Sequence, residues 1–409
     1  MAEARVLNGD SRRVLRLMRA MGVRVDAVVT DPPYHLQSIQ KRFGGKNAAP
    51  AKHGHDGAFS RLSRGFMGKE WDGGDIAFDP EFWSLVLDVL KPGGHALIFG
   101  GTRTYHRMAC AVEDAGFEVR DRFLNLMEPQ TKYGPLIESL TEDQRSQLAE
   151  LLSEVGGTGE WHWVHGSGFP KTRDMGKEID RMAGAEREKV GEVVLAGSAA
   201  YGDGQGGFYA MQGISGKKKV EVTAPATDEA KRWEGWKIAL KPAHEIVLMA
   251  RKPIAERNAA ANVLSYGTGA LNVDGCRVPG QPPLATQGEG GRYPANVIHD
   301  GSEEATAGLG EAQRYFYSAK ANKHDRDCGG RGRTEHPTVK PLPLLRYLAN
   351  LITPPYGLVL DPFAGTGTTL EACICNGFNA VGIEREGEYV ADIKGRLGKY
   401  APGQDGEEA

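Results

Sequence analysis

The chain has 409 residues, 40% hydrophobic and 25% charged, ordinary globular material for one large α/β domain with a substantial insertion. Its 50 Lys and Arg against 53 Asp and Glu give a formal net charge of -3, which excludes a global positive field, so any nucleic-acid partner must be held by local basic patches. Five scattered cysteines (Cys110, Cys276, Cys328, Cys373, Cys375) without Cys-x-x-Cys spacing, no apolar core near Met1 to Asp10 and no run of ~18 apolar residues lead us to expect reduced thiols, no metal, no membrane partner and a soluble cytoplasmic protein.

Residues 1–127 alternate apolar extended runs with amphipathic runs, the pattern of a parallel sheet covered by helices. Strands are expected at Ala4 to Leu7, Val25 to Thr30, His95 to Gly100 and Phe117 to Leu126. Between them, Val14, Leu15, Leu17, Met18 and Met21 fall at helical spacing, and Asp79-Pro80 is an N-cap with proline at the first helical position before Phe82 to Leu90. Lys91-Pro92-Gly93-Gly94 is expected to end that helix. Residues 128–335 are Gly-rich and irregular, with a helix at 141–155 led by the capping pair Thr141 and Gln144, and one strand, Glu245 to Ala250. We expect this stretch to be a target-recognition or insertion region. Regular structure returns with a helix from Pro341 to Ile352, a strand Leu358 to Leu360, a helix after Thr368, a strand Ala380 to Ile383 and a final helix from Glu386. The sheet is thus divided between a catalytic half at 1–127 and a cofactor half at 336–400, followed by a polar tail at 401–409.

Two constellations carry chemistry. Asp31-Pro32-Pro33-Tyr34 follows directly on the apolar strand ending at Thr30. An exocyclic base amine is a poor nucleophile because its lone pair is delocalised into the ring. The Asp31 carboxylate and the Pro32 carbonyl, held by two prolines of fixed φ, can each accept one amino hydrogen and free that lone pair. Tyr34 offers a flat face to a base swung out of a duplex, and stacking of roughly 1–3 kcal/mol offsets much of the flipping cost.

Asp361-Pro362-Phe363-Ala364-Gly365-Thr366-Gly367-Thr368 runs from a strand through a glycine turn into a helix. Such a turn cradles a ligand at the carboxyl end of its strand, and Glu384, about 20 residues on, sits where an acid accepts ribose hydroxyls. There is no third glycine of a dinucleotide fingerprint and no P-loop lysine, which favours S-adenosylmethionine over NAD or ATP. Basic and aromatic residues interleave at Lys217-Lys218-Lys219, Lys231, Arg232, Trp233 and Trp236. They do so again at Arg314, Tyr315, Tyr317, Lys320, Lys323, Arg326, Arg331 and Arg333. That composition suits phosphate tracking with base or sugar contacts.

With both motifs in hand, the sequence resembles the DNA amino-methyltransferases of the N4-cytosine/N6-adenine group in the β arrangement, where the catalytic motif precedes the cofactor motif. Phage- and prophage-type members look similar at Gly166 to Lys171, Ala239 to Glu245, Tyr266 to Ala270 and Tyr293 to Val297. The resemblance implies a doubly wound, mostly parallel sheet of about seven strands with a large irregular insertion. It implies methyl transfer from S-adenosylmethionine to double-stranded DNA with base flipping, and adenine N6 as the target because Asp stands first in the tetrapeptide. N4-cytosine is the alternative, and a non-catalytic DNA-binding protein a further one. By the same resemblance Asp10 approaches the cofactor adenine and His336 to Pro341, with Lys340, flanks the methionine end, joining Asp361, Phe363, Gly365, Thr366, Gly367, Thr368 and Glu384 as cofactor residues. A homodimer is implied by analogy, and a cognate restriction endonuclease is left open. Residues 128–163 depart from the relatives as an inserted helical hairpin or lid.

Overall fold

The computed structural model describes residues 2–34, 75–120, 160–164, 174–195, 218–237, 244–278, 291–306, 316–319, 325, 327, 332, 334 and 339–400. The first stretch gives β1 (Ala4–Asn8), α1 (Ser11–Ala20), β2 (Val25–Thr30), α2 (Pro80–Val89), β3 (Leu90–Gly100), α3 (Tyr105–Asp114) and β4 (Glu118–Val119). The middle gives β5 (Glu160–Val164), α4 (Met175–Ala183), β6 (Lys189–Leu195), β7 (Lys218–Thr223), α5 (Asp228–Arg232), β8 (His244–Arg251), α6 (Ala259–Tyr266), β9 (Val297–His299), α7 (Glu303–Thr306) and β10 (Tyr317–Ser318). The last stretch gives α8 (Leu342–Ile352), β11 (Leu358–Asp361), α9 (Thr368–Cys375), β12 (Asn379–Glu384) and α10 (Gly387–Gly398).

Ten strands form one sheet in the order β1-β12-β11-β2-β3-β8-β5-β9-β10, with β4 also paired to β8. The first five are mutually parallel. β8 is antiparallel to β3, β4 and β5, while β5, β9 and β10 are parallel to one another. Among the described strands of this sheet, β8 alone runs backwards, so its first residues stand at the edge where the others end. Seven of the ten strands fall where the sequence led us to expect them, though of Phe117 to Leu126 only Glu118–Val119 is strand and 121–126 lies outside the described residues. The expectation of a single strand in the middle region needs correcting: β5, β9 and β10 also join the sheet, and β6 and β7 pair separately. β9 and β10, of three and two residues, are too short to show a hydrophobic period.

Side chains alternate across the pleat and feed two cores. Ala27, Val29, Leu97, Phe99, Val247 and Met249 face α8, α9 and α10 through residues such as Leu344, Leu348, Leu370 and Ile393. Val28, Ala96, Ile98, Leu248 and Ala250 face α1, α2 and α3 through Leu15, Phe82, Trp83, Val86 and Val112. Helix starts follow the capping residues: Asp10 accepts from Arg13 N and Asp79 from Glu81 N, with Pro80 opening α2. No helix among the described residues is long and apolar enough to cross a membrane. The expected helix at 141–155, nearly all of the 128–163 insertion, the segment 166–171, the second basic cluster apart from Tyr317, Lys217, Cys328, 336–338 and the 401–409 tail lie outside the described residues.

Candidate active site

β2 is buried along its whole length and delivers Asp31 to the carboxyl edge of the sheet. Pro32 and Pro33 are buried behind it. Tyr34 is fixed by its neighbours: Thr104 Oγ1 donates to its carbonyl at 3.0 Å, and its ring lies so close to Gly101 that a Cβ there would come within 3.0 Å of Tyr34 Cδ2. Lys340 reaches the same place from the segment leading into α8. Its Nζ lies 2.9 Å from Asp31 Oδ2 and 3.0 Å from Glu245 Oε2, and it donates to Tyr34 Oη at 3.2 Å. Burial acts to lower the Lys340 pKa, but Asp31 and Glu245 outweigh it and hold the ammonium well above its ordinary range. The other Asp31 oxygen, Oδ1, is buried and has no hydrogen-bond partner among the described residues.

One strand over, β11 ends in Asp361, which accepts from Thr30 Oγ1 at 2.7 Å and from Phe363 N at 3.1 Å. That carboxylate ties the ends of β2 and β11 together. Burial pushes it up to about 6, against the hydrogen bonds from Thr369, Thr30 and Phe363 that favour its ionised form. The turn beyond it is left-handed at Gly365 (φ 53°) and Gly367 (φ 81°), conformations that a side chain disfavours. Pro362 O accepts from Ser11 Oγ at 2.6 Å, Phe363 packs on Phe82 with ring centroids 5.2 Å apart, and the Thr366 and Thr368 hydroxyls are 3.4 Å apart.

Glu384, at the end of β12, closes the turn. Its Oε2 accepts from Gly365 N at 2.9 Å and its Oε1 from Glu386 N at 2.8 Å. Burial raises its carboxyl to about 7, although those amide donors pull the other way. β1 ends beside it, with Asn8 paired to Glu384 and Gly9 N donating to Glu384 O at 3.0 Å. Asp10 follows at this corner, exposed, with one carboxylate oxygen capping α1.

The structure therefore brings Asp31, Tyr34 and Lys340 into one cluster, and Asp361, Gly365, Gly367 and Glu384 into an adjoining turn. Lys340, expected at the cofactor, makes its polar contacts with Asp31, Tyr34 and Glu245. Three further participants were not singled out from the sequence. Glu245 is the second residue of β8, and only the reversed direction of that strand places it at this edge. Phe99 lies under Lys340, with Nζ 4.9 Å from its ring centroid. Arg396 on α10 donates from Nε to Thr366 O at 2.9 Å and pairs with Glu371 at 2.6 Å, bracing the glycine turn from below. An acid directly before the apolar run Ile246 to Ala250, and an arginine on the apolar face of α10, were the signals available.

The type II methyltransferase M.HindIII of Haemophilus influenzae is 27% identical over 411 residues, spanning 96% of this chain and 94% of that protein. The DNA adenine methyltransferase YhdJ of Escherichia coli is 44% identical over 55 residues, 13% of this chain and 19% of that protein. Matches of this shorter, more identical kind span 19% to 26% of the relatives' own lengths. Among solved structures, the M1.HpyAVI–SAM complex aligns over 96% of this chain and 98% of that one, at 17% identity and a TM-score of 0.41. The DNA methylase family model matches residues 25–133 and 202–395, and with three quarters of its length so matched the chain belongs to the DNA methylase family.

Proposed function

We propose that this chain transfers a methyl group from S-adenosylmethionine to the exocyclic N6 amine of adenine in DNA. The observation that carries the reading is the state of the Asp31 carboxylate, one oxygen fixed by Lys340 and the other buried without a partner among the described residues. A buried, unpaired acceptor costs stability unless a ligand supplies its donor. An amino N–H is such a donor.

The glycine turn fits the cofactor as well. Gly365 and Gly367 permit the left-handed turn beyond the strand end, a Cβ at Gly367 also meeting Ile393 at 2.9 Å, and Glu384 retains free lone pairs for hydroxyl donors after accepting two amide N–H groups. Asp361, Phe363, Thr366, Thr368 and Asp10 complete the holding set. When bound, S-adenosylmethionine supplies a methyl carbon made electrophilic by its sulfonium. Asp31 Oδ1 accepts one amino hydrogen and the Pro32 carbonyl the other, which turns the nitrogen lone pair toward that carbon. As the nitrogen gains its fourth bond and becomes cationic, the Asp31 carboxylate lies against the proton that must leave. Tyr34 stacks the extruded base. Residues 128–335 serve target recognition, and within them Trp233 and Trp236 are 45% and 60% exposed beside the exposed Arg232.

Adenine as the target rests on Asp at the first tetrapeptide position and on the relative named as an adenine methyltransferase. The test is incubation of the purified chain with methyl-labelled cofactor and unmodified double-stranded DNA, followed by nucleoside chromatography. Label in N6-methyladenine is expected. Label in N4-methylcytosine moves the target to the other base, and absence of transfer overturns the reading.

A further inference from the structure

A lysine ammonium has three N–H donors. At Lys340 three acceptors surround it: Asp31 Oδ2 at 2.9 Å, Glu245 Oε2 at 3.0 Å and Tyr34 Oη at 3.2 Å. They come from separate places in the fold, namely the residues after β2 and the start of the reversed strand β8. The lysine itself comes from the segment before α8. Its stem is enclosed, with the ammonium 4.9 Å from the Phe99 centroid and 5.5 Å from that of Tyr34, and the side chain is 8% exposed. A lysine buried to this degree is expensive unless paired, and here the ammonium hydrogen-bonds Tyr34 Oη and lies within ion-pair distance of both carboxylates, although Glu245 Oε2 has no hydrogen-bonded donor among the described residues.

The consequence is geometric. A free carboxylate rotates and presents either oxygen, but with Oδ2 held by Lys340 only Oδ1 is left to meet a donor. The same ammonium fixes the far end of the Tyr34 ring, so the platform for the base and the acceptor for its amine are set by one group. Two carboxylates against one ammonium leave one negative charge unbalanced in the cluster, which suits a nitrogen that turns cationic during transfer. Asp361, across from Asp31 on β11, adds a further acidic neighbour.

We propose that Lys340 is a positioning residue for this reaction, holding Asp31 and Tyr34 in the orientation that meets the target amine, with Glu245 as its anchor. This rests on the reading of Asp31 as the amine acceptor. It takes Lys340 away from the cofactor, where the sequence resemblance put it.

The experiment uses the full chain in single-turnover methyl transfer to unmodified double-stranded DNA, with S-adenosylhomocysteine affinity measured by calorimetry. Lys340→Met keeps the apolar stem and removes the charge. Its rate should fall about 100-fold, the scale of a misplaced reacting group, with cofactor-product affinity within about twofold of wild type. Lys340→Arg, which restores charge and donors, should recover about tenfold of that loss. A strut that merely fills space predicts the reverse order, Met above Arg, and that order overturns the proposal, as does a Met variant within about threefold of wild type. Loss of affinity for S-adenosylhomocysteine in Lys340→Met would return the residue to the cofactor site and also overturn it. Should Lys340→Met fail to fold, Glu245→Leu should slow transfer about tenfold with Glu245→Gln in between, and equal rates in those two count against the anchor. Asp31→Ala separates the two ideas. An active Asp31→Ala enzyme removes the catalytic reading itself, whereas an inactive one beside a near-normal Lys340→Met removes only the clamp.

Discussion

On the proposed reading, Glu384 couples protonation to cofactor binding. Burial holds its carboxyl at about 7, above the ordinary 4.5, so near neutral pH it is poised between a form that accepts hydroxyl donors and one that does so less well. S-adenosylhomocysteine affinity should therefore drop about tenfold from pH 8 to pH 6, because the ionised fraction falls by about that factor around a pKa of 7. In the ligand-free protein the sign is opposite. A carboxyl raised in the folded state stabilises the fold fully below 4.5 and loses that contribution as pH rises through about 7. Glu384→Gln should thus melt higher than wild type at pH 8 while binding S-adenosylhomocysteine more weakly and with little pH dependence. Calorimetric titration and thermal melts across this range check both, and an unchanged pH slope in the variant removes Glu384 as the titrating group. Residues of this kind were legible in the sequence where a strand, a turn and a spacing coincided, as at Asp31, Gly365, Gly367 and Glu384. Glu245 and the actual contacts of Lys340 were not, because they depend on strand direction, which no local pattern encodes.

Elements were readable where capping chemistry marked them and obscure where the backbone broke its own rules. Asp79-Pro80 opens α2 as expected, yet Lys91-Pro92-Gly93-Gly94 does not simply end that helix, since it belongs to β3. The pairing of β3 to β2 runs from Leu90 opposite Val25 to His95 opposite Ala27 with an irregularity between, and a proline is tolerated at such a bulge because no ladder N–H is required of it. Gly93 there has φ 78°, with its N–H donating to Lys252 O at 3.0 Å. Packing between α9 and α10 was equally hidden. Arg396, 1% exposed, joins Thr366 O, Glu371 and Asp325 O, so α10 supports the carbonyl side of the glycine turn. Arg396→Met strips Glu371 of one cation but leaves it Lys399 and Tyr400. The cost should be about 3 kcal/mol, at the lower end for breaking a buried pair, seen as an earlier denaturant midpoint. Saturating S-adenosylhomocysteine should restore part of it by mass action. A midpoint equal to wild type would mean the brace is dispensable.

At the scale of the whole molecule the sheet is spliced from distant stretches, and Asp31 meets Asp361 through Thr30 only because β2 and β11 pair in parallel. The two regular halves announced this division in sequence, while the middle concealed a second feature. α4, the β6–β7 hairpin and α5 gather around Asp180, a buried carboxylate accepting from Ala226 N, Thr227 N, Thr227 Oγ1 and Arg187 Nη1 at 2.8 to 3.0 Å. Arg187 extends the knot to Thr223 O at 3.1 Å and to Glu234. Burial acts to raise the Asp180 carboxyl, but the Ala226 and Thr227 donors and Arg187 hold it at about 2, so its contribution persists above 3.8 and is lost only as pH falls through about 2. The unit carries the exposed pair Trp233 and Trp236, with ring centroids 5.1 Å apart. Its hairpin pairs with no strand of the main sheet among those described. Removing the knot with Asp180→Ala should therefore open this unit alone. Trypsin should cut within 174–237 while S-adenosylhomocysteine affinity stays within about twofold and DNA affinity falls, as expected when segments of low local stability unfold separately from a core. Joint loss of cofactor affinity would show one cooperative body, and undiminished DNA methylation by the nicked chain would take these tryptophans out of the DNA contact.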